Sequence, residues 1–125
     1  LRTIPNTYVF RPADATETQA AWYLSQKTND RPTSIVLTRQ NLPILENSSF
    51  EKVAKGAYVV YETSADFDTI LIATGSEVAL AIDVARELEK DGSKVRVVSM
   101  PSVELFEEQC SLVQICWFRW ISYRN

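Results

Sequence analysis

Apolar and polar positions alternate along this chain in regular stretches, separated by polar stretches without a pattern. Tyr8-Val9-Phe10 is a short strand-type run, and Arg11-Pro12 stops it, because proline disfavours helix in the residue before it. Asp14-Ala15-Thr16-Glu17 has capping-box spacing, which predicts a helix from Ala15 to about Lys27 that packs through Ala20, Ala21 and Leu24. Asn29-Asp30-Arg31-Pro32 ends it, and Ser34-Ile35-Val36-Leu37-Thr38 follows as a strand apolar enough to be covered on both faces. From Arg39 to Phe67 the texture is polar; Leu42 to Lys55 reads as a linker, followed by one strand-like piece, Ala57 to Tyr61.

The pattern sharpens again at Asp68. Residues 68–74 predict a buried strand, and Thr74-Gly75-Ser76-Glu77 has the spacing of a second capping box. Val78, Ala81, Ile82, Ala85 and Leu88 then mark one face of a helix, which Lys90-Asp91-Gly92 terminates. Residues 94–99 predict the next strand, and Pro101-Ser102 opens a short helix from Val103 to Gln109. Strand, helix and strand joined by short turns imply a right-handed crossover in a parallel sheet. The expected fold is therefore α/β: portions of two parallel-sheet βαβ domains joined by a linker. From Cys110 to Tyr123 the chain is mostly apolar, with no heptad, cap or alternation.

Composition narrows the function classes. With 125 residues, 46% apolar and 23% charged, the chain has globular proportions. Thirteen basic against sixteen acidic side chains give a net charge of −3, which argues against nucleic-acid binding through overall charge. Histidine is absent, which removes His-based zinc sites and Ser-His or Cys-His relays from these residues. The first residue is Leu and the only methionine is Met100, so the chain does not open on a normal start codon. No secretory leader and no membrane-spanning run is visible. Cys110 and Cys116 have neither zinc nor redox spacing, and free thiols compatible with a cytosolic setting are the plain reading.

Candidate chemistry is sparse. Thr74-Gly75-Ser76 lies between a strand and a helix, where anions bind, but no glycine-rich phosphate motif is present and Glu77 carries the wrong charge. Glu107-Glu108 and Glu87/Glu89 read as solvated faces. Arg39 follows immediately after a strand, where an open parallel sheet places ligand-binding residues. Its guanidinium suits either bidentate phosphate binding or a structural ion pair. Arg11 has the same ambiguity, with anchoring of Asp14 or Glu17 the simpler role.

Five segments together resemble the transketolase family. Arg11-Pro12-Ala13-Asp14-Ala15-Thr16-Glu17-Thr18 is similar to its "RPADxxET" segment, and Leu37 to Pro43 (LTRQNLP) to its "SRQNLP". Lys55 to Val59 (KGAYV) resembles "KGGYV", Ile72 to Val78 (IATGSEV) resembles "ATGSEV", and Val95 to Ser102 (VRVVSMPS) resembles "ARVVSMP". They occur in the family order and cover Leu1 to Gln109. The resemblance implies a fragment of a thiamine-diphosphate enzyme that transfers a two-carbon ketol unit between sugar phosphates. Such enzymes are homodimers that use thiamine diphosphate with a divalent metal, Mg or Ca. It further implies that residues 1–45 are the end of the pyrimidine-binding domain, 46–67 an inter-domain linker, and 68–109 the start of the C-terminal domain. Residues 110–125 form a divergent apolar tail. Arg39 matches the family arginine that binds the substrate phosphate. No catalytic, cofactor-binding or metal-binding residue is carried over.

The departures from the family set further expectations. The upstream cofactor-binding domain and the active-site histidines are not in these residues, so the chain alone is expected to bind no thiamine diphosphate and to be catalytically incomplete. The expected setting is the cytoplasm, or a plastid for a plant protein, with no nucleic-acid or membrane partner. Two alternatives stand beside this reading. One is a non-catalytic interaction module with Trp117, Phe118 and Trp120 as its docking surface. The other is part of another thiamine-diphosphate enzyme, a deoxyxylulose-phosphate synthase or a pyruvate dehydrogenase beta subunit.

Overall fold

A computed structural model describes residues 2–109; the tail from Cys110, with both cysteines and the proposed tryptophan surface, lies outside the described residues. The element order is β1 (Tyr8–Phe10), α1 (Ala15–Lys27), β2 (Thr33–Ile35), α2 (Phe50–Val53), β3 (Tyr58–Glu62), β4 (Thr69–Ala73), α3 (Glu77–Lys90), β5 (Val95–Ser99) and α4 (Val103–Glu107). They form an α/β structure with a two-stranded sheet, β1-β2, and a three-stranded sheet in the order β3-β5-β4.

Helix α1 begins where its cap predicts. Asp14 accepts from the Glu17 amide at 2.7 Å, while the Glu17 carboxylate reaches one residue past the cap to the Ala13 amide at 2.6 Å. The chain then returns as β2, parallel to β1, with Tyr8 opposite Thr33 and Phe10 opposite Ile35. The strand expected over Ser34 to Thr38 is shorter than its apolar run. Its partner ends first: the Arg11 amide turns away to the Pro101 carbonyl and Pro12 has no amide to give. Val36 and Leu37 are consequently exposed rather than covered.

The second sheet is mixed. β4 and β5 pair in parallel across the α3 crossover, as the pattern predicts. β3, the strand-like piece after the linker, joins β5 antiparallel, with a register shift between Val59 and Tyr61. This leaves β4 on an edge, so the strand read as buried has Ile72 54% exposed. The linker also holds a helical turn the pattern did not show: α2, capped by Ser49. The capping box expected before α3 is absent. Ser76 makes no side-chain cap, and Glu77 turns instead to Arg11.

The buried face of α3 is the predicted one, with Val78, Ile82 and Ala85 packed on the sheet and Ala81 and Leu88 at its margin. One core cluster joins both portions: Ala13 and Ala20 of the first pack with Val53, Tyr58, Val95 and Val97 of the second. Tyr8, Phe10 and Ala21 form a smaller cluster beneath the two-stranded sheet.

Candidate functional site

The carboxyl ends of β1, β2 and β4 converge on one edge of the molecule. The Gly75 amide, just after β4, donates to the Arg11 carbonyl, just after β1, at 3.0 Å, and the Val36 amide donates to Phe10 at 2.8 Å. Between them lies a cleft of about 150 Å³ lined by Arg11, Pro12, Val36, Leu37, Thr38, Gly75 and Ser76. In open α/β sheets this is the edge where ligands bind.

Arg11 lines this cleft, whereas Arg39, on the loop that leaves β2 at Ile35, is not among the lining residues. The Arg11 guanidinium pairs with Glu77 at 3.2 Å, not with Asp14 or Glu17 as its position suggested. The reason is that both carboxylates are consumed elsewhere. Arg39 sits on the bend that follows Thr38, exposed, with no hydrogen bond or ion pair among the described residues. Among the described residues, the ion-pair role that its position left open is not taken up. A guanidinium of this kind presents its full donor fork to a phosphate or carboxylate.

Behind this edge the Arg11–Glu17 segment meets the second sheet through two buried carboxylates. Asp14 uses one oxygen for the α1 cap and the other for the Leu45 amide, at 2.9 Å, and the Ser48 hydroxyl, at 2.7 Å. Glu17, wholly buried, accepts from the Tyr58 hydroxyl at 2.7 Å and the Ser99 hydroxyl at 2.6 Å. Burial pushes the Glu17 carboxyl above the usual carboxylate range, although the bonds from Ser99, Tyr58 and Ala13 pull it back. Burial and then the Glu17 charge raise the Tyr58 phenol.

A third junction ties α4 to β1. The Tyr8 hydroxyl donates to Glu108 at 2.6 Å, and Arg31 both pairs with Glu108 and lies over the Tyr8 ring. Burial, followed by Glu108, pushes the Tyr8 phenol up to about 12. Glu108 is exposed, as a solvated face implies, and it is also the far anchor of this junction. The part that Tyr58, Ser99 and Ser48 play here escaped the sequence reading. The only local signal was a hydroxyl side chain at the first position of β3 and at the last of β5.

No three His, Cys, Asp or Glu side chains gather to hold a metal ion among the described residues. The donor set of the described residues therefore does not fit a divalent metal. Among the described residues no helix is long and apolar enough to cross a membrane.

Two α/β portions that share one core, with an exposed arginine on the loop beyond β2, define the class: a two-portion α/β segment. The profile described as "Transketolase, pyrimidine binding domain" matches residues 1–44, and "Transketolase-like TK C-terminal domain" matches residues 56–123. The chain belongs to the transketolase family.

A probable transketolase of Streptococcus pneumoniae serotype 4 is 64% identical over 109 residues, which are 87% of this chain and 17% of that protein. The chain thus spans about a sixth of the length of this curated relative. Among solved structures, the transketolase of Pichia stipitis in complex with sedoheptulose-7-phosphate superposes with a TM-score of 0.87 at 43% identity, covering 92% of this chain and 17% of that one. A structure described as a split gene transketolase, an inactive beta4 tetramer, superposes with a TM-score of 0.70 at 31% identity, covering 82% of this chain and 33% of that one.

Proposed function

We propose that this chain works as a segment of a full-length transketolase, in which Arg39 anchors the phosphate of the sugar substrate. The observation that carries this reading is the exposed Arg39, unpaired among the described residues, on the loop that leaves the carboxyl end of β2. Residues 1–45 supply the end of the pyrimidine-binding domain, 46–67 the connection, and 68–109 the start of the C-terminal domain. The parent is a cytoplasmic homodimer of the pentose phosphate pathway that moves a two-carbon ketol unit between sugar phosphates. It uses thiamine diphosphate and a divalent metal, held by parts of the parent other than the described residues.

Within that enzyme the part played by this segment is binding and orientation. A bidentate arginine at the phosphate end fixes one terminus of an extended substrate, and so sets which carbon faces the reacting centre. The 125 residues alone transfer no ketol unit and bind no thiamine diphosphate. Cofactor-dependent turnover by the purified chain would overturn this part of the reading.

The test of Arg39 is Arg39→Ala in a full-length transketolase carrying this segment. Loss of the charged partner should weaken phosphorylated substrates by about 2–4 kcal/mol. Unphosphorylated ketoses should keep their KM. An unchanged KM for the phosphorylated substrate removes Arg39 from the site.

A further inference from the structure

We infer that Asp14 is a positioning residue for substrate-phosphate binding, acting by fixing the far end of the Arg39 loop; this rests on the reading of Arg39 given above. The loop from Val36 to Leu45 leaves the sheet after β2 and rejoins the core at Leu45, which is buried. Among the described residues it is tied to the rest of the molecule by backbone hydrogen bonds only at its two ends. At the start, the Val36 amide donates to Phe10 at 2.8 Å. At the finish, the Leu45 amide donates to the Asp14 carboxylate at 2.9 Å. Between them the one further bond is internal, from the Gln40 amide to the Thr38 hydroxyl. Asp14 is 3% exposed, and the oxygen that holds Leu45 also accepts from Ser48 three residues on. Its other oxygen caps α1 at Glu17.

The same carboxylate therefore sets both the start of α1 and the end of the loop that carries Arg39. A guanidinium on an exposed bend needs both loop ends fixed if it is to meet a phosphate in one geometry. Misplacement on the scale of an ångström weakens a bidentate contact far more than it disturbs the fold. Asp14 acts through the loop and does not itself touch the substrate.

The two oxygens can be separated by substitution. Asparagine caps a helix as well as aspartate, so Asp14→Asn keeps one acceptor for the Glu17 amide. It replaces the acceptor facing Leu45 and Ser48 with a donor. Ser48→Ala removes one tether and leaves the cap alone.

Both variants, with Arg39→Ala as reference, are assayed in a full-length transketolase carrying this segment, on a ketose phosphate and on the same ketose without its phosphate. Asp14→Asn should raise KM for the phosphorylated ketose about fivefold, with kcat within about twofold and KM for the unphosphorylated ketose unchanged. Ser48→Ala should act in the same direction by about twofold. Equal effects on both ketoses, or none, overturn the inference, because a merely structural role does not distinguish them. If Asp14→Asn fails to fold, Ser48→Ala decides by the same criterion. If Arg39→Ala discriminates between the ketoses and the other two do not, the positioning role fails alone. If Arg39→Ala does not discriminate, the reading of Arg39 fails and this inference with it.

Discussion

Glu17 has no exposed surface, yet its carboxylate accepts from a backbone amide and two hydroxyls. The two hydroxyl bonds cross from α1 to β3 and β5, so the side chain joins the two portions of the molecule. Tyrosine and serine hydroxyls both donate and accept. A glutamine can therefore turn its oxygen to Ala13 and its amide nitrogen to the hydroxyls. Glu17→Gln should cost no more than about 1.5 kcal/mol, whereas Glu17→Ala, which leaves three buried donors and a void, should cost about 3 kcal/mol or more. Urea titration of a full-length transketolase carrying each variant checks the ratio. Because burial raises the Glu17 carboxyl, the folded protein holds that proton more tightly than the unfolded chain does. The stability contributed by this group is full below the ordinary carboxylate range, 4.5 being its reference, and declines as pH rises through the folded-state value. The glutamine variant should lack that decline. Sequence spacing showed Glu17 as part of a cap, since Asp14 is three residues away. It could not show Tyr58 and Ser99, which lie 41 and 82 positions along the chain. Arg39 was legible because its position after an apolar run is a local fact; that it carries no ion pair among the described residues is a tertiary one.

Among the elements, α1 and α3 were readable because each is long enough for caps and periodicity to reinforce one another. α2 was not, since four residues cannot display a helical period. The burial of β2 and β4 was overestimated for a different reason. An apolar run predicts that something covers it, but among the described residues Val36, Leu37 and Ile72 stay exposed. Gly56 illustrates an element junction that can be tested. It has φ +81 and stands against the start of α4; the Ser102 amide donates to its carbonyl. A Cβ there would lie 2.7 Å from the Ser102 oxygen, 2.8 Å from the Leu105 carbonyl carbon, and against the Phe106 nitrogen. All are backbone atoms, which cannot yield as a flexible side chain does. Gly56→Ala should destabilise by about 3 kcal/mol or more, from the left-handed backbone and the clash together. Gly92 has φ +85 with open space around its missing Cβ, so Gly92→Ala should cost only about 1–2 kcal/mol, from the backbone alone. Equal thermal shifts for the two would refute the packing argument.

At the scale of the whole molecule, stability is concentrated in β5. It is the only strand with partners on both sides among the described residues, and Val95, Val97, Val98 and Ser99 are all buried. The β1-β2 pair has one ladder, and β2 is nowhere fully buried. Amide hydrogen exchange of the 125-residue chain should therefore be slowest in β5 and much faster in β2. Uniform protection would contradict this ranking. The exposed apolar side chains follow the same geography: Val36 and Leu37 beyond β2, and Ile72 on the edge strand β4. Open edges and uncovered faces of this kind suit a segment completed by the rest of a larger enzyme.

If these residues do the work of the corresponding segment in a transketolase, they should replace that segment in a relative. The most direct test exchanges residues 2–109 for their counterpart in the Streptococcus pneumoniae relative, 64% identical over 109 residues. Ketol transfer is then measured with and without Arg39→Ala. Thiamine-diphosphate-dependent transfer is expected in the exchanged enzyme, and a loss of affinity confined to phosphorylated sugars in the arginine variant. A folded exchanged enzyme without transfer, or an arginine variant that treats both kinds of sugar alike, would contradict this expectation.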